Sequence, residues 1–161
     1  MEYIQANKDE PEGGGCVLCL IRDGEEAERV LARSHLGYVV LNRYPYNPGH
    51  LMVVPNRHVG DLQGFEDEES LDLQHLLRRS VTAPDEEMAP HGFNIGLNMG
   101  RIAGAGLPDH LHWHVVPRWS GDTNFMPVIG QTRVMPELLE ETARRLTPRF
   151  ERTDDAVQPP G

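Results

Sequence analysis

Residues 37–55 read GYVVLNRYPYNPGHLMVVP, which is two β-rich runs separated by a turn. Both runs are rich in β-branched and aromatic residues, and Asn47, Pro48 and Gly49 between them are typical of a turn. The pattern therefore predicts a β-hairpin. Because strands joined by a short turn pair antiparallel, the hairpin argues against a strict alternation of strand and helix along the chain.

The rest of the chain adds a helix, two strands and a second helix. Residues 66–83 predict an amphipathic helix, with acids at the start, leucines at helical spacing and arginines near the end. GFNIGLNMG (92–100) and HLHWHVVPRW (110–119) predict two strands, and a last helix is expected to start near Pro136. This order favours an α+β fold with a mainly antiparallel sheet.

The length and the two ends of the chain suggest its domain organisation. At 161 residues the chain is most simply one domain. A polar start ends in three consecutive glycines, so residues 1–15 are expected to form a flexible leader. Residues 151–161 are expected to form a flexible tail, which leaves residues 16–150 as the single domain.

The charge of the chain limits its partners. It has 25 acidic and 15 basic residues and a net charge of −10. Nucleic acid polymers and anionic membranes are bound through Lys and Arg that neutralise phosphates, so this charge argues against both. The sequence has no apolar run of the roughly 20 residues that cross a bilayer, and its start does not resemble a signal peptide. These features favour a cytoplasmic protein, and they leave open a small phosphate ligand.

Three histidines, His110, His112 and His114, alternate in HLHWHVVPRW. On a strand they would share one face, with neighbours roughly 6.5 to 7 Å apart. Such a row could bind a metal, or one neutral imidazole could attack an electrophile such as phosphorus while its neighbours position it. In the preceding loop, Gly104 and Gly106 would let backbone N–H groups approach a phosphate, or they would only turn the chain between two strands.

The two cysteines of the chain, Cys16 and Cys19, stand together in the segment CVLC. In a reducing compartment this spacing is more typical of a metal site or a redox pair than of a structural disulfide. The alternative is a pair of small residues buried near the start of the fold.

Several of these segments together resemble a known family. HLHWHVV resembles the His-x-His-x-His-x-x signature, with x apolar, of the histidine triad (HIT) family of nucleotide hydrolases and transferases. LNRYPYNPGHLMVVPNRH (41–58) resembles the first hairpin of that family. Residues 94–130 look especially like the branch that contains bacterial diadenosine tetraphosphate phosphorylases. The similarity covers roughly residues 16–146.

The resemblance implies a fold and an active site. The fold would be a half-barrel, a mainly antiparallel sheet of about five strands with a central helix and a C-terminal helix, and usually a homodimer. His112 would attack the α-phosphorus of a nucleotide, and water or inorganic phosphate would then resolve the nucleotidyl-imidazole. His114 and His50 would hold and polarise the site. Asn42 would bind the ribose and Asn98 a phosphate or bridging oxygen, although Asn42 could instead cap a turn and Asn98 satisfy a strand edge.

The resemblance also implies a structural zinc ion held by Cys16, Cys19, His58 and His110, a normal ligand set for this metal. In that case His110 is a metal ligand and takes no part in catalysis. The sequence departs from the family at one place: many members have a Gln four residues before the first triad histidine, followed by Ser or Thr, whereas this chain has Gly106 and Leu107. This departure puts in doubt which side chain assists the leaving group.

The leading prediction is a zinc-containing enzyme that cleaves dinucleoside polyphosphates, above all by phosphorolysis of diadenosine tetraphosphate to ADP and ATP. One alternative is a hydrolase of dinucleoside polyphosphates or nucleoside phosphoramidates. A second is a metal hydrolase in which all three triad histidines bind a catalytic metal. A third is a nucleotide-binding regulatory module without turnover.

Overall fold

The computed structural model describes residues 15–122 and 138–154. Its elements follow one another as three helices and five strands, with short 3₁₀ turns at Ala27–Arg29 and Arg101–Ala103. In chain order the elements are α1 (Val17–Arg22), β1 (Val30–Arg33), β2 (Gly37–Leu41), β3 (Leu51–Pro55), α2 (Asp67–Met88), β4 (Gly92–Leu97), β5 (Trp113–Arg118) and α3 (Leu139–Asp154).

The five strands form one open sheet in the order β1-β2-β3-β5-β4, and all neighbours are antiparallel. The α+β prediction is confirmed. The predicted hairpin is β2 and β3, whose register runs from Gly37 opposite Pro55 to Leu41 opposite Leu51. Gly49 in its turn has a φ of +75°, a conformation that glycine adopts without strain. The sequence did not predict β1 or α1, because four and six residues are too short for a clear hydrophobic period.

The two faces of the sheet are covered differently. On one face Val53 and Val115 pack against Leu73 of α2 and Phe150 of α3 in the main core. On the other face α1 packs against the β2 end of the sheet through a second cluster. Because side chains alternate along a strand, His114 points away from the face that carries its neighbour Val115. The histidine therefore lies on the face opposite α2.

The two long helices differ from their predicted bounds. α2 continues past the predicted end at residue 83 to Met88, although Pro84 lies inside it and cannot donate a backbone hydrogen bond. Its last turn is held by Glu87, which forms ion pairs with Arg145 and Arg149 of α3. These contacts were not predictable from the local sequence of α2.

The remaining boundaries are those of α3 and of the two ends of the chain. α3 ends at Asp154, so four residues of the segment predicted as a tail are helical. The predicted helix start near Pro136 lies outside the described residues, as do residues 155–161 and all of the predicted leader except Gly15. No helix in the described parts of the chain combines the length and apolar character needed to span a membrane.

Candidate active site and metal centre

The three triad histidines do not form one row. β5 begins at Trp113, so His110 and His112 precede the strand that was predicted from residue 110. The backbone is held there by other partners, because Leu111 N–H donates to the Val59 carbonyl at 2.7 Å. The prediction that all three rings share one strand face is wrong for this reason. His110 turns towards the cysteines, whereas the rings of His112 and His114 lie together, with centroids 5.0 Å apart.

Four metal-binding side chains meet on one side of the molecule. Cys16 and Cys19 belong to the start of α1, His58 follows β3 and His110 precedes β5. Their ligand atoms all lie within 4.8 Å of one another. The Sγ to Nδ1 distances are 3.2 Å for Cys16 to His110, 3.5 Å for Cys19 to His58 and 3.6 Å for Cys19 to His110. A zinc tetrahedron with ordinary bond lengths has edges of about 3.5 Å, so the donor set fits this metal.

The orientation of His110 is compatible with metal binding through Nδ1. Its Nε2–H donates to the Pro55 carbonyl at 3.0 Å, so its Nδ1 lone pair faces the two sulfur atoms. Histidines that bind metals usually donate their second ring N–H in this way. Burial and the neighbouring Cys16 raise the pKa of the Cys19 thiol, and a bound dication would oppose this rise by stabilising the thiolate. Within the described residues, no metal-binding cluster includes His112 or His114.

His112 presents the opposite ring nitrogen. Its Nδ1 lies 2.9 Å from the carbonyl oxygen of His110, which can only accept, so Nδ1 carries the proton. Burial lowers the pKa of His112, which favours the neutral ring. A neutral imidazole with a protonated Nδ1 has its lone pair on Nε2. A backbone carbonyl two residues earlier thus leaves the Nε2 lone pair of His112 available.

His50 and His114 form a hydrogen-bonded pair whose proton positions follow from one backbone donor. Tyr46 N–H donates to Nδ1 of His50 at 3.1 Å, so the proton of the neutral His50 ring is on Nε2. That Nε2–H donates to Nδ1 of His114 at 2.9 Å. His114 therefore carries its own proton on Nε2. Burial, with a smaller contribution from neighbouring histidines, lowers the pKa of His50 to about 3 and that of His114 to about 4, so both are neutral at neutral pH.

A polar cluster that we call the Asp122 clasp (Asn47, Arg118 and Asp122) fixes the turn that carries His50. Asn47 is buried, and its side-chain amide donates to the Pro117 carbonyl at 2.9 Å and to Asp122 at 3.0 Å. Arg118 donates two hydrogen bonds to Asp122, and these hold the pKa of that carboxyl well below its usual range. Since the Asn47 carbonyl accepts from His50 N–H, the clasp ties His50 to the end of β5.

The clasp is a feature that sequence analysis missed. Asn47 and Asp122 are 75 residues apart, and nothing in either local sequence signals their contact. Arg118, at the end of β5, is paired with Asp122 and Asn94.

The other predicted binding residues occupy different positions around these histidines. Asn42 Oδ1 accepts from Tyr44 N–H at 2.8 Å, which is the turn cap given as the alternative to ribose binding, and its amide nitrogen also lies 3.5 Å from Nε2 of His50. Asn98 is the first residue after β4, directly after Leu97, which pairs with Trp113 of β5. Its side-chain amide nitrogen lies 3.5 Å from the Gly104 carbonyl oxygen. Asn42 is therefore beside the histidine pair, and Asn98 is linked to the glycine loop.

The loop glycines leave their surroundings open. Gly104 has a φ of +89°, and a Cβ on Gly106 would meet nothing within 4 Å. The segment is exposed, and its backbone is free of bulky side chains at these two positions. Such a loop can bring N–H groups close to an anion.

Comparison with known proteins gives one family. The HIT domain model matches residues 23–121. The chain is 49% identical over 128 residues to AP-4-A phosphorylase of Mycobacterium tuberculosis, a match that covers 80% of this chain and 66% of that protein. It thus spans slightly less than two thirds of that relative. Bis(5'-nucleosyl)-tetraphosphatase [asymmetrical] of Schizosaccharomyces pombe is 32% identical over 94 residues, 58% of this chain and 51% of that protein.

A solved structure supports the same grouping. A Zn-bound histidine triad family protein from Mycobacterium smegmatis superposes with a TM-score of 0.73 at 27% identity. The superposition covers 89% of this chain and 98% of the other.

Proposed function

Because this chain belongs to the histidine triad (HIT) family, we propose that it is an enzyme that cleaves dinucleoside polyphosphates, chiefly by phosphorolysis of diadenosine tetraphosphate to ADP and ATP. The observation that carries the proposal is the arrangement of two neutral rings: His112 presents an Nε2 lone pair, and His114 beside it presents an Nε2–H. A nucleophile next to a donor is what transfer at phosphorus requires. The choice of diadenosine tetraphosphate as substrate is suggested by the names of the two relatives, AP-4-A phosphorylase and bis(5'-nucleosyl)-tetraphosphatase.

In the first step, Nε2 of His112 attacks the α-phosphorus of diadenosine tetraphosphate. A phosphorus–nitrogen bond forms, the bond from phosphorus to the bridging oxygen breaks, and ATP leaves with that electron pair. His112 becomes positively charged, and its Nδ1–H keeps the hydrogen bond to the His110 carbonyl. The Nε2–H of His114 donates to a phosphoryl oxygen and stabilises the charge that develops there.

In the second step, an oxygen of inorganic phosphate attacks the same phosphorus. The phosphorus–nitrogen bond breaks, ADP is released and His112 regains its lone pair. If water were the acceptor, the product would be AMP and the histidines would have the same roles. Hydrolysis is therefore the second candidate, and it is favoured by the similarity to the Schizosaccharomyces pombe tetraphosphatase. A hydrolase of nucleoside phosphoramidates would use the same intermediate.

Four further residues are proposed to bind the nucleotide. Asn42, beside the histidine pair, would bind the ribose, and Asn98 would contact a phosphate or the bridging oxygen. Backbone N–H groups around Gly104 and Gly106 would bind phosphate oxygens, which suits the open space at Gly106 and the positive φ of Gly104 beside Asn98. Local donors of this kind are needed because the chain as a whole carries a net charge of −10.

Zinc is the metal that we propose for Cys16, Cys19, His58 and His110, since two thiolates and two imidazoles in a tetrahedron are a normal zinc site. Four protein ligands leave no open position, so the ion would act structurally by tying α1 to the segments after β3 and before β5. The reducing cytoplasm is the compartment that we propose, since it keeps both thiols available to the metal.

A homodimer formed through β4 is the proposed assembly. β4 is an edge strand, and Ile95 on it is half exposed. A groove beside it is lined by the apolar residues Leu77, Val81, Leu97 and Trp113 together with the polar residues Gln74, Arg78 and Thr82. Exposed apolar edges of this kind are usually covered in solution. We expect light scattering to give twice the mass of the chain for the wild type, and a monomer for Ile95→Lys; a monomeric wild type would contradict the proposal.

The experiment that tests the function uses purified protein and diadenosine tetraphosphate, with and without inorganic phosphate. We expect ADP and ATP only when phosphate is present, as identified by chromatography, and neither product from His112→Ala. Phosphate-independent AMP and ATP would move the protein to the hydrolase alternative. Tight binding of AMP without any product would favour the nucleotide-binding module without turnover. That alternative is suggested by Gly106 and Leu107, where the sequence departs from the family pattern.

A further inference from the structure

Tyr46 lies on the active-site histidines but has no part in the steps above. Its backbone N–H sets the proton position of His50, as any residue other than proline could do. Its ring, however, lies over both members of the histidine pair. The ring centroids are 4.7 Å apart for Tyr46 and His50, and 6.2 Å apart for Tyr46 and His114, with interplanar angles of 31° and 29°.

The two faces of this ring have different surroundings. The inner face covers the histidine pair, and His50 beneath it is completely buried. Tyr46 itself is 51% exposed, so a large part of its ring is open to solvent beside the reacting histidines. A large aromatic side chain that is fixed on one side and open on the other is suited to stack a second planar group.

We propose that the outer face of Tyr46 stacks against a nucleobase of the substrate, which makes Tyr46 a specificity-determining residue for nucleotides over simple phosphate esters. The inference rests on the proposed function, because it takes the substrate to be a nucleotide. Stacking adds affinity without any positive charge, which matters in a chain with a net charge of −10. It also accepts every base, since all have a π-face.

The base could belong to the nucleotide that His112 attacks or to the one that leaves. Asn42, the proposed ribose ligand, lies 3.5 Å from His50, and His114 is the donor beside the reacting phosphorus, so Tyr46 is close to both halves of the substrate. The same stacking chemistry serves in either case, and the choice of ligands in the experiment separates the two.

The test measures binding by calorimetry in the full chain with His112→Ala, which prevents turnover. Tyr46→Leu and Tyr46→Phe are each combined with this change, and Tyr44→Leu, at a more exposed tyrosine of the same segment, is the matched control. The ligands are AMP, ribose 5-phosphate, diadenosine tetraphosphate and adenosine 5′-tetraphosphate. Thermal unfolding of each variant checks that it is folded.

We expect Tyr46→Leu to weaken binding of a base-containing ligand about tenfold and to leave ribose 5-phosphate within twofold, because only the stacking partner is lost. Tyr46→Phe and Tyr44→Leu should stay within twofold of the parent for all ligands. Weaker binding of AMP to Tyr46→Leu would show that Tyr46 stacks on the base of the nucleotide that His112 attacks. Weaker binding of diadenosine tetraphosphate, with unchanged binding of AMP and adenosine 5′-tetraphosphate, would show that Tyr46 stacks on the base of the leaving nucleotide.

Two results would overturn the inference: unchanged binding of every base-containing ligand to Tyr46→Leu, or an equal loss for ribose 5-phosphate. The second result would mean that the ring only maintains the histidine pair. Failure of the proposed function is read separately, from turnover of the wild type. A wild type that makes no product but shows base-dependent binding to Tyr46 would refute the enzyme and retain the stacking.

Discussion

The candidate metal centre and the candidate active site each contain a buried histidine, and the two histidines leave opposite ring nitrogens available. His110 and His112 are two residues apart and both are buried, but His110 presents Nδ1 to two sulfur atoms, whereas the lone pair of His112 is on Nε2. The difference comes from the backbone. The Pro55 carbonyl accepts a hydrogen bond from Nε2–H of His110, and the His110 carbonyl accepts one from Nδ1–H of His112. A carbonyl partner thus decides which ring nitrogen is available for chemistry.

The two regions also differ in what surrounds the available nitrogen. At the metal centre the neighbours of His110 are thiols, which as thiolates attract a dication. At the candidate active site the neighbour of His112 is His114, a neutral ring that accepts from His50 at Nδ1, carries its own proton on Nε2 and adds no negative charge. One region is therefore suited to hold a cation, and the other to accept an anionic phosphate.

The largest expected effect is the loss of activity in His112→Ala, a change that disrupts the candidate active site alone. His112→Ala should lower the rate of diadenosine tetraphosphate cleavage at least about 10³-fold, because it removes the proposed nucleophile. Its zinc content should equal that of the wild type. Initial rates and metal analysis by mass spectrometry check both statements, with His75→Ala on the exposed face of α2 as the control. Loss of zinc from His112→Ala would show that the two regions are not separate.

The second effect breaks the metal centre alone. His58→Ala should weaken zinc binding more than about 100-fold, since it removes a ligand from a four-ligand site. The expected loss of activity is smaller than that of His112→Ala, because no step of the reaction uses His58. Competition with a chromogenic chelator measures the affinity, and His35→Ala, an exposed histidine outside the cluster, is the control. Unchanged zinc affinity would refute this ligand set.

The third effect loosens the link between the turn of His50 and β5. Asp122→Asn keeps the shape of the side chain but removes the charge that binds Arg118, so we expect kcat to fall about tenfold with little change in KM. Zinc content should not change. The exposed Asp109→Asn is the matched control, and it should remain within twofold of the wild type. If kcat of Asp122→Asn also stayed within twofold of the wild type, the Asp122 clasp would have no role in positioning His50 for catalysis.

The smallest effect is on stability as a function of pH. His50 and His114 have pKa values of about 3 and 4 in the folded protein, below the ordinary value of 6.5. Between pH 6.5 and about 4 the unfolded chain therefore binds protons that the folded chain does not, and the free energy of unfolding falls as the pH falls. Each histidine should contribute up to about 1.4 kcal/mol per pH unit.

Urea unfolding at pH 6.5 and pH 5 measures this slope, and His50→Gln is the comparison because it cannot titrate. The slope should be smaller in His50→Gln than in the wild type. Equal slopes would mean that His50 is not held neutral by burial.

The sequence predicted the elements with strong local signals. The hairpin of β2 and β3 was predicted by its turn and β-branched runs, and the position of α2 by its leucine spacing. The cluster of Cys16, Cys19, His58 and His110 was predicted only through the family resemblance, since its members come from three distant segments. In the structure these four side chains lie together.

Features that depend on distant partners could not be predicted. The separation of His110 from the row required the hydrogen bond of Leu111 to Val59, and the clasp required Asn47 to meet Asp122. The exposed ring of Tyr46 above the histidine pair likewise has no local signature.

The most direct test of the contrast between His110 and His112 is ¹⁵N NMR of the histidine rings in zinc-loaded protein at neutral pH. The shifts and two-bond couplings of each ring tell which nitrogen carries the proton. The account predicts a protonated Nδ1 with a free Nε2 in His112, and a protonated Nε2 with a metal-bound Nδ1 in His110. A His112 ring protonated at Nε2, or a His110 ring with its proton on Nδ1, would contradict it.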